Sequence, residues 1–325
     1  MKLLRRQVLH LAGGAATLPA VSGVAWAQNY PVRPVHVIVG FSAGSGLDLY
    51  ARLICQWLSG RLGQSFVIEN RLGAGSNVGT GIVVRAPPDG YTLLMASAAV
   101  FTNASLYSNL GFDFMHDIAP VASVARTAFA IVANPKFPAK TIPELIAYAK
   151  AKPAKVTVGT AGVGTLTHVA SELFKMMAGI NMVHVPYRGE PPAVADLIGG
   201  QVQLVFCSLP LASEFIKSGK VIALAVTTAR RWNTFPDIPA VGEFLPGYDA
   251  SGLSGIGAPR ATPAEIIDRL NKETNAGLVD AKLKAQFAAL GSETVPSTPA
   301  EYEKVIITET EKWAKVIREA NIKAE

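Results

Sequence analysis

Short apolar runs alternate with segments of helical periodicity along most of the chain. Val35–Val39 is the first such run and predicts a buried strand, followed by a turn of small residues at Ser42–Gly46. Leu47, Tyr50, Ile54, Leu58 and Leu62 then recur at helical spacing and mark the apolar stripe of a helix. Further strands are expected at Phe66–Ile68, Thr92–Ala96, Phe129–Ala133, Val156–Gly159, Met182–Val185, Val202–Phe206 and Ala223–Val226. Helical patterns separate them, which predicts an α/β fold with parallel sheets wrapped by helices. Thr141-Ile142-Pro143-Glu144, Thr262-Pro263-Ala264-Glu265 and Thr298-Pro299-Ala300-Glu301 each have the form of a capping box, and the last third reads as mostly helical.

A chain of 325 residues, half of them apolar, can bury one large core or two moderate ones. The pattern divides into two lobes, residues 28–126 with 228–325 forming the first and residues 127–227 the second. The crossings are expected near Arg126–Phe129 and Val226–Ala229.

The first 27 residues stand outside this pattern. Lys2, Arg5 and Arg6 precede a weakly apolar stretch, and Ala25-Trp26-Ala27 offers the small residues that signal cleavage needs. Residues 1–27 are therefore expected to be a signal peptide, with Gln28 the new N-terminus. Arg5-Arg6 resembles a twin-arginine signal, and a general secretory signal is the alternative. Gly13, Gly14, Pro19, Ser22 and Gly23 make the segment a poor spanning helix. An exported protein of the periplasm follows. The formal charge is +6, and the first 27 residues supply three positives and no acid, so the remainder carries +3. Basic residues are scattered, with none of the clustering that nucleic-acid binding requires. A mild positive bias suits small anions. A disulfide between Cys55 and Cys207 would tie distant elements together, so two free thiols are expected.

Three readings compete for the glycine-rich turns. Gly40-Phe41-Ser42-Ala43-Gly44 fits the G-x-S-x-G nucleophile elbow, which would make the protein an exported serine hydrolase using Ser42. That motif follows the first strand, however, where an oxyanion loop has no earlier strand to come from, and no histidine comes after His184. Neither this turn nor Gly73-Ala74-Gly75-Ser76-Asn77-Val78-Gly79 matches a dinucleotide or P-loop pattern, so no cofactor is expected. The histidines lack metal-ligand spacing and read as structural, so no metal is expected either. The third reading is an anion site. A strand, a small-residue turn and a helix start together present free backbone N–H groups and a favourable helix dipole. Gly159–Thr165 repeats that element after the strand at Val156, and ligands of such sheets collect at the strands' carboxyl ends. Two turns, one per lobe, would grip an anionic ligand across a cleft.

An ordered set of motifs carries a family resemblance. It runs from Tyr30-Pro31-Val32-Arg33-Pro34 through Phe41-Ser42-Ala43-Gly44, Asp48, Glu69-Asn70-Arg71, Gly73-Ala74-Gly75 and Pro88–Leu93. It continues through Ala161–Thr165, His168, His184–Gly189, Asp196–Val202, Leu224–Thr227, Pro236–Pro239, Pro246-Gly247-Tyr248 and Thr262-Pro263 to Trp313. Nearly the whole chain after residue 27 thus resembles the Bug family, the TctC-like periplasmic receptors of tripartite tricarboxylate transporters.

The resemblance implies two Rossmann-like lobes joined by a hinge, of the type II periplasmic binding protein kind, closing over a carboxylate. It implies that Ser42, Ala43, Gly44 and Ser45 in one turn hold a ligand carboxylate together with Thr160, Ala161, Gly162, Val163, Gly164 and Thr165 in the other. Ser97, Tyr187, Cys207 and Ser208 would shape the ligand's far end, and Asp48 would orient the first turn. The implied partners are a small carboxylate ligand and membrane transporter subunits, the receptor itself being a monomer and not an enzyme. A receptor that signals to a membrane sensor is the other use of the same closure. Ser45 and Ser76 depart from frequent glycines, Leu72 from proline, Leu253 from tryptophan, and Gln203 and Cys207 from aspartate. A neutral thiol at a cleft-facing Cys207 would leave a ligand ammonium without a counter-charge, which favours a dicarboxylate or an aromatic acid.

Overall fold

The computed structural model describes residues 30–107 and 110–323. The expected signal peptide and its Ala25-Trp26-Ala27 cleavage site lie outside the described residues.

Two sheets organise the chain. The first has six strands: β1 (Val35–Val39), β2 (Phe66–Asn70), β3 (Thr92–Ala96), β4 (Ile118–Thr127), β10 (Gly252–Pro259) and β11 (Ser292–Thr294), in the order β11-β4-β10-β3-β1-β2. The second has five: β5 (Phe129–Ala133), β6 (Thr157–Thr160), β7 (Val183–Pro186), β8 (Leu204–Ser208) and β9 (Ile222–Val226), in the order β7-β6-β8-β5-β9. Strands β1, β2 and β3 run parallel, as do β6, β7 and β8, so the carboxyl ends of each set share one edge. The chain leaves the first sheet at Ala128 and returns to it after Ala250, where the Ala250 amide donates to the Thr227 carbonyl at 2.7 Å.

Every strand expected from periodicity is present within two residues of its expected ends. Three were not expected: β4, β10 and β11. The central strand β10 reads Gly-Leu-Ser-Gly-Ile-Gly-Ala-Pro, and its glycines disguise it. They are required by packing. A Cβ on Gly255 would collide with the Tyr302 ring and lie 2.6 Å from the Ala122 carbonyl, and one on Gly257 would lie 2.6 Å from Ile118 Cγ2.

Helices cover both faces. They are α1 (Gly46–Leu62), α2 (Asn77–Val84), α3 (Ala99–Leu106), α4 (Phe114–Asp117), α5 (Ile142–Ala151), α6 (Leu166–Ala178), α7 (Glu190–Gly199), α8 (Leu209–Lys217), α9 (Ala264–Val279), α10 (Ala281–Ala289) and α11 (Pro299–Glu319). Of the three expected capping boxes, only Thr298–Glu301 closes in both directions, at 3.2 and 2.8 Å. Thr141 caps the Glu144 amide at 3.3 Å, but the Glu144 carboxylate turns to the Lys140 amide instead. Thr262 caps nothing: α9 begins two residues later behind Pro263, and the buried Thr262 hydroxyl lacks a partner.

One apolar cluster spans both sheets, joining Ile38 and Leu94 to Ile131, Phe174 and Phe206 through Tyr248 and Trp313. Helix α11 carries Trp313 and packs on α3, β4 and α6, so it clasps both lobes. Separate clusters fill the outer face of the first sheet and the far face of the second.

Candidate functional site

All fourteen expected site residues lie at the carboxyl ends of parallel strands. Ser42–Ser45 follow β1, Ser97 follows β3, Thr160 ends β6 with Ala161–Thr165 behind it, Tyr187 follows β7, and Cys207 and Ser208 end β8. What each contributes differs from position to position.

In the first turn, Ser42, Ala43 and Gly44 are exposed, and Gly44 sits at φ +80°, a region that glycine enters without strain. Ser45 caps α1, its hydroxyl accepting the Asp48 amide at 3.3 Å. Asp48 is fully buried beneath the turn. Its carboxylate accepts the Gly44 amide at 2.9 Å, the Asn70 amide group at 3.0 Å and the Arg52 guanidinium at 2.8 and 3.1 Å. Burial alone would raise its pKa, but the bonds from Arg52, Gly44 and Asn70 outweigh it and hold the carboxyl below its usual range. The Gly44 amide is therefore committed inside the protein. Among the described residues, the Ser42 and Ala43 amides have no protein acceptor.

Ser76, which the sequence marked as a departure from glycine, adopts φ +81° beside this turn. Its buried hydroxyl has no partner and fills the space where a Cβ on Gly40 would stand.

The second turn spends more of its amides internally. Ala161 donates to Thr167 Oγ1 at 3.0 Å, Gly162 to Thr160 Oγ1 at 3.4 Å, and Gly164 to His168 Nδ1 at 3.1 Å. The Val163 amide alone in Ala161–Thr165 has no acceptor among the described residues. Thr165 caps α6 by accepting the His168 amide, and its own hydroxyl donates to the Gly162 carbonyl at 2.7 Å. The Gly164 N–H donates to His168 Nδ1, and His168 Nε2 lies 3.7 Å from Glu172. His184 stacks on His168 with centroids 3.7 Å apart and bonds Thr160 Oγ1 at 2.7 Å. Burial foremost, and then His168, lower the His184 pKa to about 4. The two stacked imidazoles thus prop the turn from beneath.

The four far-end residues separate into two groups. Ser97 is half-buried, its hydroxyl accepting the Ala99 amide at 3.3 Å. Ser208 donates both its amide, at 3.1 Å, and its hydroxyl, at 2.5 Å, to Glu190. Tyr187 lays its ring 3.1 Å from where a Cβ on Gly159 would stand and donates its hydroxyl to Asp196 at 2.7 Å. Its main chain instead backs the second turn, donating to the Thr160 carbonyl at 3.1 Å. Cys207 requires a correction. It is fully buried among Ala130, Ala193 and Val205, and this burial pushes its thiol well above the usual range. It packs the core behind the strand end and presents nothing to the cleft. Gln203, the other departure from aspartate, bonds Thr157 at 2.7 and 2.6 Å.

The sequence did not single out Glu190 or Tyr50. The Tyr50 hydroxyl contacts Thr127 and Ser292 and lies 3.7 Å from where a Cβ on Gly46 would stand. It thus sits directly under the first turn, within electrostatic reach of Glu190 on the other lobe. Leu106 of the first lobe lies against Gly164, leaving no room there for a Cβ. Both cysteines are free, and no metal-type cluster of His, Cys, Asp or Glu occurs among the described residues. No described helix is long and apolar enough to cross a membrane.

This arrangement, two helix-wrapped sheets with a small-residue turn at the carboxyl end of a parallel strand in each, is the architecture of periplasmic solute-binding proteins. Residues 50–322 match the model of the tripartite tricarboxylate transporter family receptor, TctC. BugT of Bordetella pertussis is 35% identical over 91% of this chain and 92% of its own. The R. palustris protein Rpa4515, solved with adipate, superposes at a TM-score of 0.83 with 34% identity, covering 90% of this chain and 99% of that one. MatC of Rhodopseudomonas palustris, solved with bound malate, gives 0.78 and 29%, over 89% and 100%. The chain belongs to the TctC family of periplasmic binding proteins.

Proposed function

We propose that this protein is an exported periplasmic receptor that captures a small carboxylate by hinged closure and delivers it to a tripartite tricarboxylate-type transporter, without catalysing a reaction. The observation that carries this is a small-residue turn at the carboxyl end of a parallel strand in each sheet, with the Ser42, Ala43 and Val163 amides without protein acceptors among the described residues. Such amides at helix starts favour an anion without any charged side chain. The adipate and malate held by two similar proteins support a carboxylate. The preference for a dicarboxylate or aromatic acid rested on Cys207 lining the cleft, and with Cys207 buried that ground is gone. Against a hydrolase, Ser42 has no histidine or carboxylate bonded to its hydroxyl among the described residues. His168 and His184 are committed to the second turn.

A thermal-shift screen of small carboxylates tests the reading, because a ligand that binds only the folded state raises the melting temperature by mass action. At least one carboxylate is expected to do so. Esterase activity that disappears in Ser42→Ala would overturn it.

A further inference from the structure

Glu190 is the first residue of α7, and the Gly189 amide before it donates to the Ala161 carbonyl at 3.1 Å, docking it against the second turn. One carboxylate oxygen accepts both bonds from Ser208, at 3.1 and 2.5 Å. The other has no protein donor among the described residues, and no Lys, Arg or His among them acts on Glu190 electrostatically. The Cys207 thiol and, from the first sheet's helix α1, the Tyr50 hydroxyl lie within electrostatic reach of it, neither of them a cation. The side chain keeps some solvent exposure while being closely surrounded, as a group on a cleft floor does. Burial raises its pKa, as expected of a carboxylate without a counter-charge.

An acid in a helix's first turn ordinarily interacts with the dipole from the surface, where water screens it. Glu190 is largely shielded from water instead, and a shielded carboxylate without a cation is costly. The missing partner has to come from what enters the cleft.

We propose that Glu190 is a specificity residue that receives a cationic nitrogen of the ligand, so that the receptor selects carboxylates bearing an ammonium over dicarboxylates. This rests on the reading that the cleft binds a carboxylate. The amide-lined turns take the ligand's carboxylate, and Glu190 pairs with its positive group. A dianion brings a second negative charge against Glu190 and is rejected.

The test is calorimetric titration of the protein without residues 1–27, using matched pairs: glutamate and glutarate, aspartate and succinate, 6-aminohexanoate and adipate. In the tightest-binding pair the ammonium-bearing member is expected to bind about 30-fold more tightly or better. Glu190→Gln keeps an acceptor for Ser208 but removes the charge, and it should reduce that preference to within about threefold. Glu190→Ala serves as a second variant should the first fail to fold. A tighter dicarboxylate in every pair, or a preference that survives the loss of Glu190, overturns the inference and leaves the receptor reading intact. If no member of any pair binds, the inference falls, and the receptor reading is decided separately by the wider carboxylate screen.

Discussion

The Asp48 carboxylate accepts the Gly44 amide at 2.9 Å, so the first turn is shaped by a buried side chain four residues further on. The same carboxylate gathers Asn70, whose amide group also donates to the Phe41 carbonyl at 2.8 Å, and so ties β2 to the turn. Asp48→Ala leaves these donors without their acceptor. It is expected to cost about 2–3 kcal/mol of stability in denaturant titration. It should also weaken carboxylate binding about tenfold or more, because the Ser42 and Ala43 amides lose their fixed direction. An unchanged affinity would show that the turn does not depend on Asp48.

Within the turn, side chain and backbone are separable. Ser42→Ala removes one hydroxyl and should cost roughly 0.5–1.5 kcal/mol of binding, about 2- to 13-fold. Gly44→Val should do more harm although nothing lies within 4 Å of the added Cβ, because φ +80° is strained for a β-branched residue. Titration of both variants against one carboxylate ranks the two effects.

The sequence disclosed the turns because a strand followed by small residues and a helix start is a local pattern. It did not disclose which amides stay available, because their acceptors are set by three-dimensional proximity: Asp48 for Gly44, Thr167 for Ala161, His168 for Gly164. Strand β10 escaped notice for a related reason. Gly255 and Gly257 weaken its strand signal, yet Tyr302 and Ile118 occupy the space that any side chain there would need. Cys207 read as a cleft residue because it ends a strand, but adjacent strand residues face opposite sides, and its side is the core. Glu190 reads from sequence as an ordinary dipole partner in a helix's first turn, and only its enclosure distinguishes it.

The burial of Cys207 makes a sharp expectation. Cys207→Asp places an unpaired charge in an apolar cluster beside Glu190 and should cost at least about 3 kcal/mol of stability. Cys207→Ala should change affinity less than about threefold, because the thiol does not face the ligand. Melting curves and calorimetry on the two variants check this. A Cys207→Asp protein of normal stability with altered ligand preference would return the side chain to the cleft.

The stacked histidines predict a pH response. His184 titrates near 4 in the fold, below its ordinary value of about 6.5, so the unfolded chain binds the proton first. Stability is therefore full above about pH 6.5 and falls as the pH drops toward 4, by roughly 1–2 kcal/mol from this group once solvent screening of the partly exposed ring is allowed for. Denaturant titrations across that window, with His184→Gln as the comparison, should show a shallower slope in the variant. An identical slope would assign the acid sensitivity elsewhere.

The central claim is that turns from both lobes hold one ligand carboxylate. Calorimetric titration of the best-binding carboxylate and its primary amide tests this on wild type, Gly44→Val and Gly162→Val. Gly162 sits at φ +127° with the Tyr187 carbonyl 3.0 Å from the position of an added Cβ, so its substitution perturbs the second turn as Gly44→Val perturbs the first. The account predicts that the carboxylate binds wild type, that the amide does not, and that either substitution lowers carboxylate affinity about tenfold or more. Equal binding of acid and amide, or full affinity in both variants, would contradict it.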